Sequence, residues 1–182
     1  MKKLNLFTVA CGAAVLFAGI FVSTTQLSAQ KGDDDTGSEV QIGLAISPVA
    51  MDLTHKNRSL VGLGSYYVNA VSECVGCHNR PTGEFLGGGR PFGPVNSRNL
   101  TPDSTGRPAG LTLSEFTQAM RAGTDFKGLP PDVNGTPGEL IVMPWQAYSH
   151  GTDRFIKAIY EYLTSIPCVE GGPGYPTTGR CN

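Results

Sequence analysis

A chain of 182 residues with 14 basic and 15 acidic side chains, a formal net charge of −1, lacks the basic footprint that nucleic acid or an anionic membrane surface selects. Five cysteines and three histidines in that length are few enough for their positions to carry information.

The chain opens with Lys2 and Lys3, an uncharged run from Leu4 to Val22 and the polar stretch Ser23 to Gln26, the pattern of an export signal spanning residues 1–29 with a small residue, Ala29, at the cleavage point. The uncharged run is nearly long enough to span a bilayer, so a retained N-terminal membrane tether is the alternative, although Asn5, Thr8, Cys11 and Gly12 dilute it. Cys11 as a lipid acceptor fits less well, because Thr8 stands where an apolar residue is expected. Cleavage removes two lysines and no acidic residue, leaving 12 basic side chains against 15 acidic ones in a single-domain length. Either way the chain is expected outside the cytoplasm, in the periplasm, where thiols are kept oxidised.

Residues 30–58 read as an N-terminal arm. Gly32 to Ser38 is acidic spacer, and Val40, Ile42, Leu44 and Ile46 then alternate with period two, which predicts an extended segment with at most one short strand. From Ser59 the period becomes helical, with Leu60, Leu63, Tyr67, Val68 and Val71 on one face. Gly62 and Gly64 weaken that helix and make sense where another backbone approaches closely.

The helix runs into Cys74-Val75-Gly76-Cys77-His78, a C-x-x-C-H pattern that reads as covalent c-type haem attachment. The chemistry needs two thiols, one for each vinyl group of the porphyrin, on a backbone tight enough to put the next imidazole beneath the iron. A zinc site would want a second pair of ligands, and Cys168 and Cys181 lack the spacing. A thioredoxin-like pair would want a βαβ context in place of a helix that leads into loop. After His78, Pro81, the triple Gly87-Gly88-Gly89, Pro91, Gly93 and Pro94 exclude regular structure, and no strand or Gly-Lys-Ser/Thr supports a phosphate loop there.

Thr112 and Glu115 form a capping box, with Leu111 and Phe116 as its hydrophobic staple, for a helix that Gly123 stops. A last helix is expected from Thr152, with Phe155, Ile159, Tyr162 and Leu163 on one face, ending before Pro167. Three main helices, long loops and scant strand signal make a small all-α haem domain over residues 59–167, with the cofactor as its missing apolar centre. Cys168 and Cys181 flank the Gly/Pro-rich tail, residues 168–182, and are expected to close it by a disulfide.

The iron's sixth position has five candidates: Met51, Met120, Met143, His55 and His150. Met120 falls on an amphipathic helix and suits the core; Met51 and His55 lie upstream and would have to fold back. Met143 stands in irregular chain between an apolar pair and Pro144, where a loop presents its thioether, with His150 as the chief rival. His78 is expected to donate its other ring nitrogen to the carbonyl of Pro81 or a neighbour.

These residues resemble the class I c-type cytochromes, in particular the single-haem modules in the cytochrome c subunits of membrane-bound alcohol and gluconate dehydrogenases. Beyond Cys74, Cys77 and His78 the resemblance rests on Gly64 to Val71, Pro91-Phe92-Gly93, Asn99-Leu100-Thr101-Pro102-Asp103, Leu111 to Phe116 with Arg121 and Gly123, Met143-Pro144 with Tyr148, and Tyr162-Leu163, over roughly Leu60 to Pro167. It implies a cytochrome c fold round one covalent haem c, a crossing of first and last helices with Gly62 and Gly64 facing Tyr162, Met143 as distal ligand, and Asn99 to Asp103 near the haem edge. One motif stands where those subunits carry three, and Pro130 to Glu139 is an insert. The function implied is that of an electron carrier, not an enzyme, serving a dehydrogenase, an oxidase or another cytochrome. An open-site haem enzyme or gas sensor is the alternative.

Overall fold

In the computed structural model, which describes residues 37–126, 138–171 and 179–182, the chain order is α1 (Ser38–Ile46), α2 (Arg58–Tyr66), a π-helical turn (Tyr67–Val71), α3 (Cys74–His78), β1 (Pro91–Phe92) and β2 (Val95–Asn96), α4 (Leu113–Ala122), β3 (Thr124–Asp125) and β4 (Gly138–Glu139), α5 (Trp145–Tyr148) and α6 (Asp153–Ser165). The export signal, the spacer up to Thr36, the insert from Pro130 to Pro137 and the tail interior from Gly172 to Pro176 lie outside the described residues. Among the described residues the fold is helical, its four strands being two-residue pieces in two antiparallel ladders, and no helix is long and apolar enough to cross a membrane.

Three helices start on the side chains suited to cap them. Asn57 accepts from Leu60 N at 3.0 Å before α2, Thr112 and Glu115 bond reciprocally before α4, and Thr152 accepts from Phe155 N at 3.1 Å before α6. Gly123, at φ +67°, ends α4 in the left-handed conformation that a Cβ disfavours.

The expected extended arm is in part a helix. Residues 38–46 coil because the spacing that matters is helical: Val40, Gly43 and Leu44 meet α2, while Ile42 and Ile46 are 45% and 38% exposed. The alternation of apolar residues with Gln41, Gly43 and Ala45 mimicked a strand, and Gly43, which reads as a weak point, is the contact itself. A Cβ there would lie 1.8 Å from the carbonyl of Gly62, and Ser65 Oγ donates to the carbonyl of Gly43 at 2.6 Å.

Gly62 therefore faces α1, not the Tyr162 side. Gly64 alone serves the expected crossing with the last helix, since a Cβ on it would meet the Ala158 carbonyl at 1.9 Å and Tyr162 Cβ at 2.8 Å. Behind that crossing lies the main core, which includes Val61, Val68, Leu86, Phe116, Met120 and Ile159. Tyr162 is fully buried, with its hydroxyl 3.0 Å from Ser47 Oγ and accepting from Asn69 Nδ2 at 3.2 Å, so the polar tip is satisfied. The segment after α1 is pinned to the end of α6 by Asp52 N donating to Ser165 O at 2.7 Å.

Candidate haem-binding site

The π-helical turn closes with Ser72 N donating to Tyr67 O at 2.8 Å, and Glu73 then takes a left-handed conformation, φ +54°, that redirects the chain. From there Cys74 to His78 makes one helical turn. That spacing, i, i+3 and i+4, sets both thiols and the imidazole on one side of α3. Cys74 and Cys77 are both free, the first half-buried and the second exposed. Burial pushes the Cys74 thiol up to about 12, the opposite of the lowered value a redox-active C-x-x-C pair requires. Cys168 and Cys181 are joined to each other, and among the described residues no three of His, Cys, Asp and Glu gather to hold a metal ion, so the zinc reading finds no ligand set.

His78 is half-buried and its Nδ1 lies 2.7 Å from the carbonyl of Arg98. A carbonyl only accepts, so Nδ1 carries the proton in this bond and Nε2 is the nitrogen with a lone pair for a metal. Burial holds the ring's pKa below the usual histidine value, against the raising effect of the same hydrogen bond, which favours the neutral form that ligates. The acceptor is thus twenty residues downstream, not at Pro81 or beside it. Arg98 is fixed by its side chain, whose Nη2 donates to Asp125 Oδ1 at 2.8 Å.

The glycine run finds its use next to this ligand. Gly88 N donates to the carbonyl of His78 at 2.7 Å, and at φ +69° a Cβ on Gly88 would lie 2.4 Å from Asn99 N. Two chain segments thereby converge on His78, one on its backbone and one on its ring. Asn99 and Thr101, from the expected haem-edge loop, are 2% and 0% exposed, and Asn99 Oδ1 accepts from both N and Oγ1 of Thr101 at 2.9 and 2.7 Å.

Of the candidate sixth ligands, Met143 is half-buried against the main core and α5 follows it directly. Tyr148, at the end of α5, donates its hydroxyl to the carbonyl of Ser72 at 2.7 Å, two residues before Cys74. Its pKa is raised by burial and by the nearby Cys74 and Cys77. The methionine's segment is therefore moored to the C-x-x-C-H turn. Met120 is buried in the core, Met51 packs at its margin, and His55 and His150 are exposed.

Arg98, Ser72 and Tyr148 were not singled out for these roles by sequence reasoning, and two of the three act through backbone carbonyls that leave no side-chain signal. Trp145, also missed, lies two residues from Met143 with its ring against Gly123, where a Cβ would be 2.3 Å from Nε1. That indole N–H is buried without an acceptor among the described residues. Two free thiols one turn apart, a neutral imidazole whose Nε2 keeps its lone pair, and a buried donor left without an acceptor among the described residues fit a covalently attached haem with its anionic substituents.

No protein-family profile matches the chain. It is similar to the fructose dehydrogenase cytochrome subunit of Gluconobacter japonicus, at 33% identity over 104 residues, 54% of this chain and 20% of that one. The cytochrome c subunit of the quinone-dependent alcohol dehydrogenase of Gluconobacter oxydans is 31% identical over 129 residues, 67% of this chain and 25% of that one. The gluconate 2-dehydrogenase cytochrome c subunit of Pantoea cypripedii is 32% identical over 113 residues, 59% and 23% of the two chains. The matched region spans a quarter or less of these relatives. The resemblance to cytochrome c subunits of alcohol and gluconate dehydrogenases is borne out, and with it haem c as the cofactor.

Proposed function

We propose that this chain carries single electrons through one haem ligated by His78 and Met143, between a periplasmic dehydrogenase and the respiratory chain, and that it is not itself an enzyme. The observation that carries this reading is the arrangement at α3: free thiols of Cys74 and Cys77 one turn apart, with His78 oriented through Nδ1 by the Arg98 carbonyl at 2.7 Å and kept neutral by burial. Cys74 and Cys77 would hold the porphyrin through thioether bonds, and His78 Nε2 and the Met143 sulfur would ligate the iron. The bound group supplies a one-electron Fe(III)/Fe(II) couple, and thioether ligation favours its reduced state.

The protein's own residues set the conditions for that couple. Arg98 orients His78 and makes it a stronger donor; the buried core excludes water from one side. Tyr148 and Ser72 moor the Met143 segment to the attachment turn. A filled sixth position leaves no place for substrate, which favours a carrier over an open-site enzyme or gas sensor.

The relatives' names describe subunits of dehydrogenases, which supports a dehydrogenase as electron donor, with an oxidase or another cytochrome as acceptor. Such partners would meet the haem edge through a small transient contact, below about 1,200 Å². Export by residues 1–29, with or without retention as a tether, would place the chain in the periplasm. Changing Met143 to Ala tests the ligand set: the haem stays attached, the midpoint potential falls and carbon monoxide gains access. An unchanged potential would remove Met143 from the iron.

A further inference from the structure

Residues 168–171 and 179–182 have no part in the reading above, yet they reach the segments that hold His78. Cys168 and Cys181 are joined by a disulfide, and the chain beside each half lies against the loop that follows Arg98. From one side, Val169 N donates to Thr101 Oγ1 at 3.0 Å, and Val169 O accepts from Asn99 Nδ2 at 2.9 Å. From the other, Arg180 Nη2 donates to Thr101 O, and Arg180 O accepts from Ser104 N at 2.7 Å. Glu170 ties the two sides together, its carboxylate accepting from Arg180 N at 3.1 Å and from Cys181 N at 3.3 Å.

The same tail reaches the second segment at His78. Arg80, only 7% exposed, donates through Nη2 to Glu170 O at 2.6 Å and to Gly87 O at 3.0 Å, and Gly88 N is the donor to the carbonyl of His78. One disulfide-closed unit thus braces both stretches that converge on the histidine: Arg80 to Gly88 on its backbone side, and Arg98 to Thr101 on its ring side.

We propose that the disulfide-closed tail is a positioning device for the proximal ligand, holding the Arg98 carbonyl against His78 Nδ1 through Asn99, Thr101 and Arg180 and so setting the haem potential. This rests on the reading of His78 as a ligand of the iron. A fixed acceptor makes the imidazole more basic, and a more basic ligand favours Fe(III). Releasing the tail lets the carbonyl withdraw, weakens the donor and shifts the couple toward Fe(II). A disulfide that merely fastened the C-terminus would change stability and leave the potential in place.

The experiment uses the haem-loaded full chain. A phosphine reductant opens the disulfide and leaves thioether bonds intact; alkylation of both thiols then fixes the open form, and the haem is reoxidised before spectroelectrochemical titration. The opened chain is expected to titrate at higher potential, with the reduced-to-oxidised ratio at fixed ambient potential raised by up to tenfold, about 59 mV for one electron. Arg180→Ala, with the disulfide intact, moves the potential in the same direction, and Arg180→Lys, which keeps a donor for Thr101 O, restores most of it. Val40→Ala, which loosens the packing of α1 on α2, lowers the melting temperature without moving the potential. Unchanged potentials in the opened chain and in Arg180→Ala, on a chain that carries His-ligated haem, overturn the tail's role alone. Should the opened chain unfold, Arg180→Ala and its lysine counterpart decide. Absence of covalent haem from the intact chain overturns this proposal and the ligand reading together.

Discussion

Gly88 shows how a single residue without chemistry of its own shapes the candidate site. It combines a positive φ of +69° with a backbone neighbour, Asn99 N, 2.4 Å from where a Cβ would stand, and its N–H holds the carbonyl of His78. Gly88→Ala should therefore cost about 2–3 kcal/mol or more in denaturant unfolding, because conformational strain and a backbone collision add. Gly93→Ala serves as comparison: its φ is +62° but nothing lies within 4 Å, so only the strain remains, about 1 kcal/mol. Equal losses in the two variants would contradict the close approach. At this scale the placement of two free thiols and an imidazole on one turn was legible, since their spacing is written in five consecutive residues. The acceptor of His78 was not. It is a backbone carbonyl twenty positions away, and only the fold of the intervening loop brings it there.

Among the elements, helix ends were easier to read than helix partners. Thr112 and Glu115 carry a reciprocal bond that any sequence of that form suggests, and the structure gives it: Thr112 N to Glu115 Oε2 at 2.8 Å and Glu115 N to Thr112 Oγ1 at 3.3 Å. Thr112→Ala should destabilise the domain by about 1 kcal/mol, within a range of about 0.5–2, with the haem spectrum unchanged; a loss several times larger would mean that Thr112 does more than cap. The helix at 38–46 is hard to read because one of its inward residues, between Val40 and Leu44, is a glycine, which contributes nothing to a hydrophobic pattern. There the close contact is backbone on backbone, Gly43 against Gly62, and no apolar periodicity records it. Gly43→Val should part α1 from α2 and lower stability by several kcal/mol, on the order of an overpacked core or worse, whereas Ile42→Ala, 45% exposed, should cost about 0.5 kcal/mol or less. A mild effect at Gly43 would return residues 38–46 to the status of a detachable arm.

For the molecule as a whole, the architecture places long loops where a helical protein of this size would ordinarily place more core. α2, α4 and α6 with their shared interior were foreseeable from period and caps; the packing of α1, the short α5 and the bracing tail were not, because each depends on contacts between segments far apart in sequence. What unites them is the neighbourhood of α3. α5 is moored at Ser72, Arg98 reaches His78 from downstream, and the tail holds the residues after Arg98. A chain arranged round one rigid, apolar, covalently held group is economical for electron transfer, since fixed ligands keep the reorganisation on changing oxidation state small. The central claim is that the group so held is a six-coordinate haem with His78 and Met143 on the iron. The most direct test is the absorption spectrum of the haem-loaded chain, oxidised and then reduced, with and without carbon monoxide. The account predicts a weak far-red sulfur-to-iron band in the oxidised form and sharp reduced bands that carbon monoxide leaves unchanged. A missing far-red band together with ready carbon monoxide binding would contradict it and identify an open-site haem protein instead.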